Sequence, residues 1–443
     1  MRYIASLVIL FEVLFGQLER TSMTIYKDGL ALIEHGLSWN LEEGSNTITW
    51  DSLSQGFIEG SSFLNLQNAR ILTQKLNKNT FHFQNHLKEK IGQNIEIKLI
   101  NEREISGILL EFDKSNLSIQ RRGNIIVFNL ERIDYISTFE EERSRIYKPS
   151  LSWSIIPNDN VVGPIEGNLI YLSKGFKWNS IYKLIINRMQ DSAELIIEAN
   201  ILNRSNLNFI DVNLKLIEGS LNNKNNLSRS KGIAKYSQTR DPVFQQNQFG
   251  DYHIYNLNQK INLMQNESLF ARLYPSKNIS FMKTYLFEND ERNQKEEPLL
   301  VEYKIPNTEE NNLGIPLPQG SIKLYQFANN KDIEFIGEDY IEQVTKGGAA
   351  TIISGRAFDV IGKRTILNFD RQQKSEEASI MIEINNTLNR QINVRLIEHI
   401  RGDWVIRNAS ANYQKKDAST IHFSISIPAN RSKTITYTYR KEL

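Results

Sequence analysis

The closest pair of histidines in this sequence is in HFQNH, where His82 and His86 stand four residues apart. On a helix that spacing turns both imidazoles to one face, at the separation of two zinc ligands. No H-E-x-x-H motif accompanies the pair, and Leu87 and Ile91 supply an apolar stripe. The segment therefore reads as a short amphipathic linker, and no metal site is assigned. His35, His253, His399 and His422 stand singly in strand-like surroundings, where an imidazole is satisfied by neighbours or wetted. Glycoside hydrolysis needs only two carboxylates facing one bond, and Glu338 and Asp339 in IGEDYIEQ and Asp359 in AFDVIG are the acids placed among strands. Turn and strand roles account for them, so no catalytic residue is assigned. Nucleophile-elbow, P-loop, dinucleotide and EF-hand motifs are absent, and no cofactor is expected. Arg356 and Arg364 flank the apolar centre of RAFDVIGKR and read as long cations guarding a strand edge.

Binding chemistry has more material. The chain carries 17 Tyr and 5 Trp, rings that stack on sugars and pack equally well in strands. The segment KGFKWNSIYKLI gathers Lys174, Lys177 and Trp178, a set suited to ligand contact. It reads more simply as a strand opening in which Gly175 allows a turn and Trp178, Ile181 and Leu184 pack between sheets. Arg121 and Arg122 sit at a turn tip. With 53 Lys and Arg against 51 Asp and Glu, the formal charge is +2, and no basic face for nucleic acid is expected. The sequons at Asn203 and Asn278 are of the kind an Asn-rich chain produces by chance.

The elements that would position these residues are strands. Period-two alternation recurs, as in SIMIEI, where Ile380, Ile382 and Ile384 share one face, and in HFSISIP, where Phe423, Ile425 and Ile427 do. The latter runs through PANRS into KTITYTYR and predicts a C-terminal hairpin. Five short runs between Ile91 and Phe139, with Gly107 interrupting the second, resemble Sm-like and SH3-like barrels in order and spacing. An internal echo pairs LIIEANILNRSNLNFIDVNLKLIEG with IMIEINNTLNRQINVRLIEHI. Each copy is a strand, an Asn-bearing turn and a returning strand, as in Ig-like sandwiches.

The expected fold is all-β: two β-sandwich modules with an inserted small barrel. At 443 residues more than one core is expected. The divisions read from the sequence are a leader over 1–16, an N-terminal β segment and helical linker over 23–88 and the barrel over 90–140. A first sandwich follows over 145–225, with 23–66, and a second over 250–443, the two joined through LNNKNNLSRSKG. The leader is read from Arg2 ahead of an apolar run from Tyr3 to Phe15, the layout of a secretory signal, despite Glu12 within it. No other run is long enough to span a membrane, so the mature chain is expected without a transmembrane span. The absence of Cys excludes disulfides and thiol chemistry.

Several blocks together resemble an uncharacterised bacterial family, a domain of unknown function also found as the C-terminal part of mucoidy-inhibitor-A-like proteins. These are TIYKDGLALIEH (Tyr26, Gly29, Ala31), IYLSKGFKWNSIYKLII (Tyr171, Gly175, Trp178, Tyr182), GIPLPQGSIKLYQ (Pro318, Gly320) and FIGEDYI (Gly337). SGRAFDVIGKR (Gly355, Phe358, Asp359), DWVIRNAS (Trp404) and the closing FSISIPANRSKTITYTYR complete the order. The resemblance implies an all-β fold and frequent export, and it carries no catalytic residues. The functional expectation is an exported non-enzymatic protein that binds an envelope glycan or protein, or serves a structural role there, with no oligomeric state fixed. The competing expectation is an envelope carbohydrate-active or other hydrolytic enzyme.

Overall fold

The computed structural model describes residues 14–42, 47–78, 83–100, 104–139, 149–158, 162–187, 189–219, 244–249, 252–257, 259–328 and 332–442. His82, the leader up to residue 13 and the link over 220–243 lie outside the described residues. The protein is all-β, with about 70% strand and 3% helix. It divides into two compact units, one of residues 1–23, 31–175 and 205–212, the other of 24–30, 176–204 and 213–443.

In the first unit, a four-stranded sheet orders Leu14–Phe15, Thr47–Trp50, Ser150–Pro157 and Ala69–Asn77. Its core is aromatic: Trp39 and Trp153 are each 1% exposed, and their rings meet edge to face at 6.4 Å. Five antiparallel strands of the same unit run in the order Asn124–Asn129, Asn116–Arg121, Glu104–Phe112, Asn94–Leu99 and Ile133–Thr138. They wrap Ile95, Ile97, Leu109, Leu117, Ile119 and Phe128, with Leu87 of the helix Phe83–Glu89 joining that core. Gly107 permits the bend, since a Cβ there would lie 2.8 Å from the Gln120 carbonyl oxygen and from Ile119 Cδ1.

The second unit holds two large sheets. In one, the successive neighbours are Ser268–Arg272, Ser192–Asn203, Phe176–Ile186, Gly320–Phe327 and Ile333–Ile341. The KGFKWNSIYKLI segment enters this sheet at Gly175, whose φ of +97° suits glycine. Its buried face then follows the period of two through Trp178, Ser180, Tyr182 and Leu184. Ile181 lies on the opposite, half-buried face; packing it with Trp178 and Leu184 would require a helical spacing that a strand does not have.

The other sheet has nine strands, in the order Asp403–Ala409, Arg431–Glu442, Ser375–Asn386, Ala349–Arg371, Lys295–Pro306, Met282–Asp290, Ile392–His399, Thr420–Ile427 and Tyr413–Lys415. The expected C-terminal hairpin is not formed. Thr420–Ile427 pairs with Ile392–His399, whereas Arg431–Glu442 pairs with Ser375–Asn386 and Asp403–Ala409. Both strands bury an alternating face, and the two faces meet across the core, with the Phe423 and Tyr437 rings 5.7 Å apart. The turn after Ile427 is therefore an arch between two parts of a curled sheet. The two echo copies behave likewise. Ser192–Asn203 and Phe209–Glu218 are not neighbours in a sheet, and neither are Ser375–Asn386 and Ile392–His399. A fully buried Asn ends the leading strand of each. Asn203 donates to the Leu263 carbonyl at 3.0 Å, and Asn386 to those of Arg390 and Pro428, both at 2.9 Å.

Gly107→Val is expected to cost the five-stranded barrel about 1–3 kcal/mol by forcing a side chain against backbone. The readout is faster amide exchange across Asn116–Arg121; unchanged protection there would show that the neighbouring strand yields to the new side chain.

Candidate functional site

Four sequence blocks that lie far apart along the chain converge on one cluster in the second unit. Lys27 comes from the turn after Tyr26 and Glu218 from the end of Phe209–Glu218. Trp178 comes from Phe176–Ile186, and Pro318 and Gln319 immediately precede Gly320–Phe327. The Lys27 ammonium lies 2.8 Å from Glu218 Oε2, donates to the Gln319 carbonyl at 3.0 Å and stands 4.1 Å from the centre of the Trp178 ring. Trp178 donates from its indole to the Ile217 carbonyl at 3.2 Å, and Tyr182 from its hydroxyl to the Pro318 carbonyl at 2.5 Å. Tyr255 closes the far side, edge to face with Trp178 at 5.9 Å.

Burial pushes the Lys27 ammonium down from its ordinary value while Glu218 pulls it back up. It likewise pushes the Glu218 carboxyl up against the pull of Lys27. An amine and a carboxyl shifted toward each other could in principle exchange a proton. The geometry argues for a different role. An ammonium has three donors, and a carboxylate, a carbonyl and an indole face already surround this one. The cluster is thus a brace tying the turn at Lys27 to three strand segments.

A second brace was invisible in the sequence. Arg364, expected on a strand edge, is 1% exposed and sits on Ala349–Arg371, an interior strand of the nine-stranded sheet. Its guanidinium meets Glu398 at 2.9 Å with both side chains fully buried, donates to the Glu291 carbonyl at 3.1 Å, and also donates to the Asn293 carbonyl. Asn289 donates to the same Glu398 carboxylate at 2.8 Å, and Tyr437 adds its hydroxyl. Burial pushes the Glu398 carboxyl up while Arg364, Tyr437 and Asn289 pull it down. With a guanidinium and two further donors on it, we assign the pair as ionised. Lys441 continues the network, at 2.8 Å from Glu291 and 3.2 Å from Glu376. Arg356 lies on the same interior strand and pairs with Glu297 at 3.0 Å.

The other candidates are placed apart. Asp339 accepts from the backbone N–H of Ile353 at 2.6 Å and of Tyr340 at 2.8 Å; Glu338 is exposed. Asp359, also exposed, accepts from the Thr387 hydroxyl at 3.2 Å. No contact joins it to the other two among the described residues. His86 is buried with Nε2 2.7 Å from Thr138 Oγ1. His399 contacts Glu288 at 2.7 Å. Among the described residues no three His, Asp or Glu side chains converge as a metal would require. Arg122 occupies a turn tip at φ +48°. All five tryptophans, Trp39, Trp50, Trp153, Trp178 and Trp404, are interior, which removes them as stacking platforms.

His35 is a strongly perturbed imidazole. Buried between Thr21 Oγ1 at 3.0 Å and the Tyr171 hydroxyl at 3.2 Å, and against Trp50, it is pushed down from 6.5 to about 4 by burial. The unfolded chain therefore takes up a proton near pH 6.5 that the folded chain refuses until about pH 4. The stability held above pH 6.5 is lost across that window, to the extent of about 3 kcal/mol. The difference between wild-type and His35→Gln unfolding free energies should show that loss, and parallel curves would refute it. At the brace, Glu218→Gln is expected to lower stability by about 3 kcal/mol by leaving Lys27 buried without a counter-charge. Lys27→Met with Glu218→Leu should lose less. An unchanged melting temperature for Glu218→Gln would mark the cluster as a ligand site instead.

Compared with known proteins, the chain matches no protein-family model and no curated protein.

Proposed function

We propose that this chain is an exported, non-catalytic all-β protein that acts by binding, or as a structural element, at the cell envelope, and that it is related to the family its motif blocks resemble. The observation that carries the reading is the fate of the buried acids. Glu218, Glu398, Glu376 and Glu302 are each at most 5% exposed and each held by a cation, Lys27, Arg364, Lys441 and Arg395 respectively. A hydrolase that uses a carboxylic acid keeps that group open to substrate and tunes it with its surroundings. These acids are committed to holding strands together.

Binding has surface to draw on. Phe358 is 88% exposed, and Phe335 and Tyr340 of the edge strand Ile333–Ile341 are about half exposed. Rings of this kind suit a glycan face or a protein partner. Export rests on the cation and apolar run of the first residues. Processing after Gly16 would remove Leu14–Phe15, which pair in parallel with Ile48–Thr49, and would leave Thr47–Trp50 paired with Ser150–Pro157. Among the described residues no helix is long and apolar enough to cross a membrane.

The test is a pull-down with residues 17–443 against envelope glycans and envelope proteins, followed by product analysis of whatever is retained. The expected result is a partner held without turnover and weakened by Phe358→Ala. Release of cleaved glycan would establish the hydrolytic reading in its place.

A further inference from the structure

The buried cations of the braces each face a carboxylate, but two partly exposed cations of the second unit form no ion pair among the described residues. Lys283 lies on Met282–Asp290, directly across from Tyr303 of Lys295–Pro306. Arg390 lies in the turn after Ser375–Asn386. Their charged ends converge on one neutral atom, the amide oxygen of Gln190, at 2.9 Å from Lys283 Nζ and 2.7 Å from Arg390 Nη2. The Tyr285 hydroxyl stands 3.5 Å from the same Arg390 nitrogen, and the Tyr285 and Tyr303 rings lie 5.6 and 5.4 Å from Lys283 Nζ.

No carboxylate forms an ion pair with either cation among the described residues. The acid next to Gln190 in the chain, Asp191, is engaged by Asn187 and by the Ser192 hydroxyl. Burial and the Arg390 charge together push the Lys283 ammonium down to about 8, with no acid pulling it back. Two like charges on one amide oxygen repel each other, and the repulsion is relieved by an anion.

The arrangement is held from outside. Asn386 donates to the Arg390 carbonyl at 2.9 Å and accepts from the Leu388 N–H, fixing the turn that carries the guanidinium. Gln190 adopts a left-handed φ of +58°, with its N–H donating to the Asn187 carbonyl at 3.1 Å. Lys283, Gln190 and Arg390 are all partly exposed, and the neighbouring Met189 is 81% exposed, so a solute can reach them.

We propose that Lys283 and Arg390 form a binding site for an oxyanion group, with the Gln190 amide as a neutral placeholder that the anion displaces. An oxyanion accepts from Nζ and from the guanidinium fork together, with the Tyr285 hydroxyl as a further donor. The site goes beyond the function proposed above, and its failure would leave the pull-down result standing.

The full chain is titrated calorimetrically with sodium phosphate, sodium sulfate and sodium acetate at constant ionic strength, with chloride as the control. Saturable binding of at least one oxyanion is expected, weakened by roughly tenfold or more in Lys283→Gln and in Arg390→Gln. The preferred probe separates a tetrahedral from a planar ligand. No saturable binding, or binding retained in both variants, would overturn the assignment. Gln190→Glu covers the case in which those variants fail to fold. A built-in carboxylate should raise the melting temperature and abolish the anion response, whereas an unmoved melting temperature with the response intact would count against the site.

Discussion

The pairing of Arg364 with Glu398 is the constraint around which the second unit is arranged. Two charges taken out of water cost several kcal/mol each, and attraction offsets that cost only with close geometry and the remaining donors and acceptors satisfied. Here the guanidinium sits 2.9 Å from the carboxylate and reaches two backbone carbonyls, while Asn289 and Tyr437 donate to the same acid. These groups come from separate strands and from the turn over 291–293. The pair is satisfied only when the sheet curls enough to bring Ala349–Arg371 opposite Ile392–His399. Misplacing any of those strands would strand a buried charge, a far larger penalty than losing an apolar contact of the same area. The pair thus selects one curled arrangement among the many that alternating apolar faces would tolerate.

The Lys27 cluster answers the same problem with a different cation. A guanidinium spreads its charge over a planar fork and can serve a carboxylate and two carbonyls at once, as at Arg364. An ammonium is a compact charge that needs surrounding groups in three directions. Lys27 finds them in Glu218, the Gln319 carbonyl and the face of Trp178. Cation–π attraction grows as water is excluded, so the ring that seals the site also strengthens it. The YKDG, KGFKW, LIEG and PLPQG blocks thereby gain a shared physical meaning, since each contributes one part of this brace.

The strands were legible in the sequence because a strand with one buried face writes its period directly into the residues, as Ile380, Ile382 and Ile384 do. The barrel was legible for the same reason, helped by Gly107. What alternation does not encode is the partner of each strand. Thr420–Ile427 and Arg431–Glu442 carry the pattern of a hairpin, yet their buried faces meet across the core, because alternation specifies a face and leaves open whether the neighbour lies beside it or opposite. Arg364 was misread for a related reason. In RAFDVIGKR an arginine bordering an apolar stretch looks like an edge charge, and the acid that justifies burying it is 34 residues away. Trp178 reads as packing between sheets and is buried, whereas the other tryptophans gave no local sign of burial, since the features that make a ring a good stacking platform also make it a good core residue. Of the candidate site, the blocks were visible and their convergence was not.

The braces also give meaning to the exception. Lys27, Arg364 and Lys441 each face a carboxylate at 2.8 to 3.2 Å. A chain that folds for stability alone gains nothing from placing a further lysine and arginine on one neutral amide, where the charges oppose each other and no acid among the described residues compensates. In Lys283 and Arg390 the stabilising rule is broken at a partly exposed position, while the turn that carries Arg390 is held rigid by the buried Asn386. Local conflict held in place by an ordered surround is the pattern of a site kept for a ligand, since the conflict costs stability until the missing charge arrives. In this unit a paired cation holds strands together, and at Lys283 and Arg390, which have no paired acid among the described residues, the proposed oxyanion would supply the second half of the interaction.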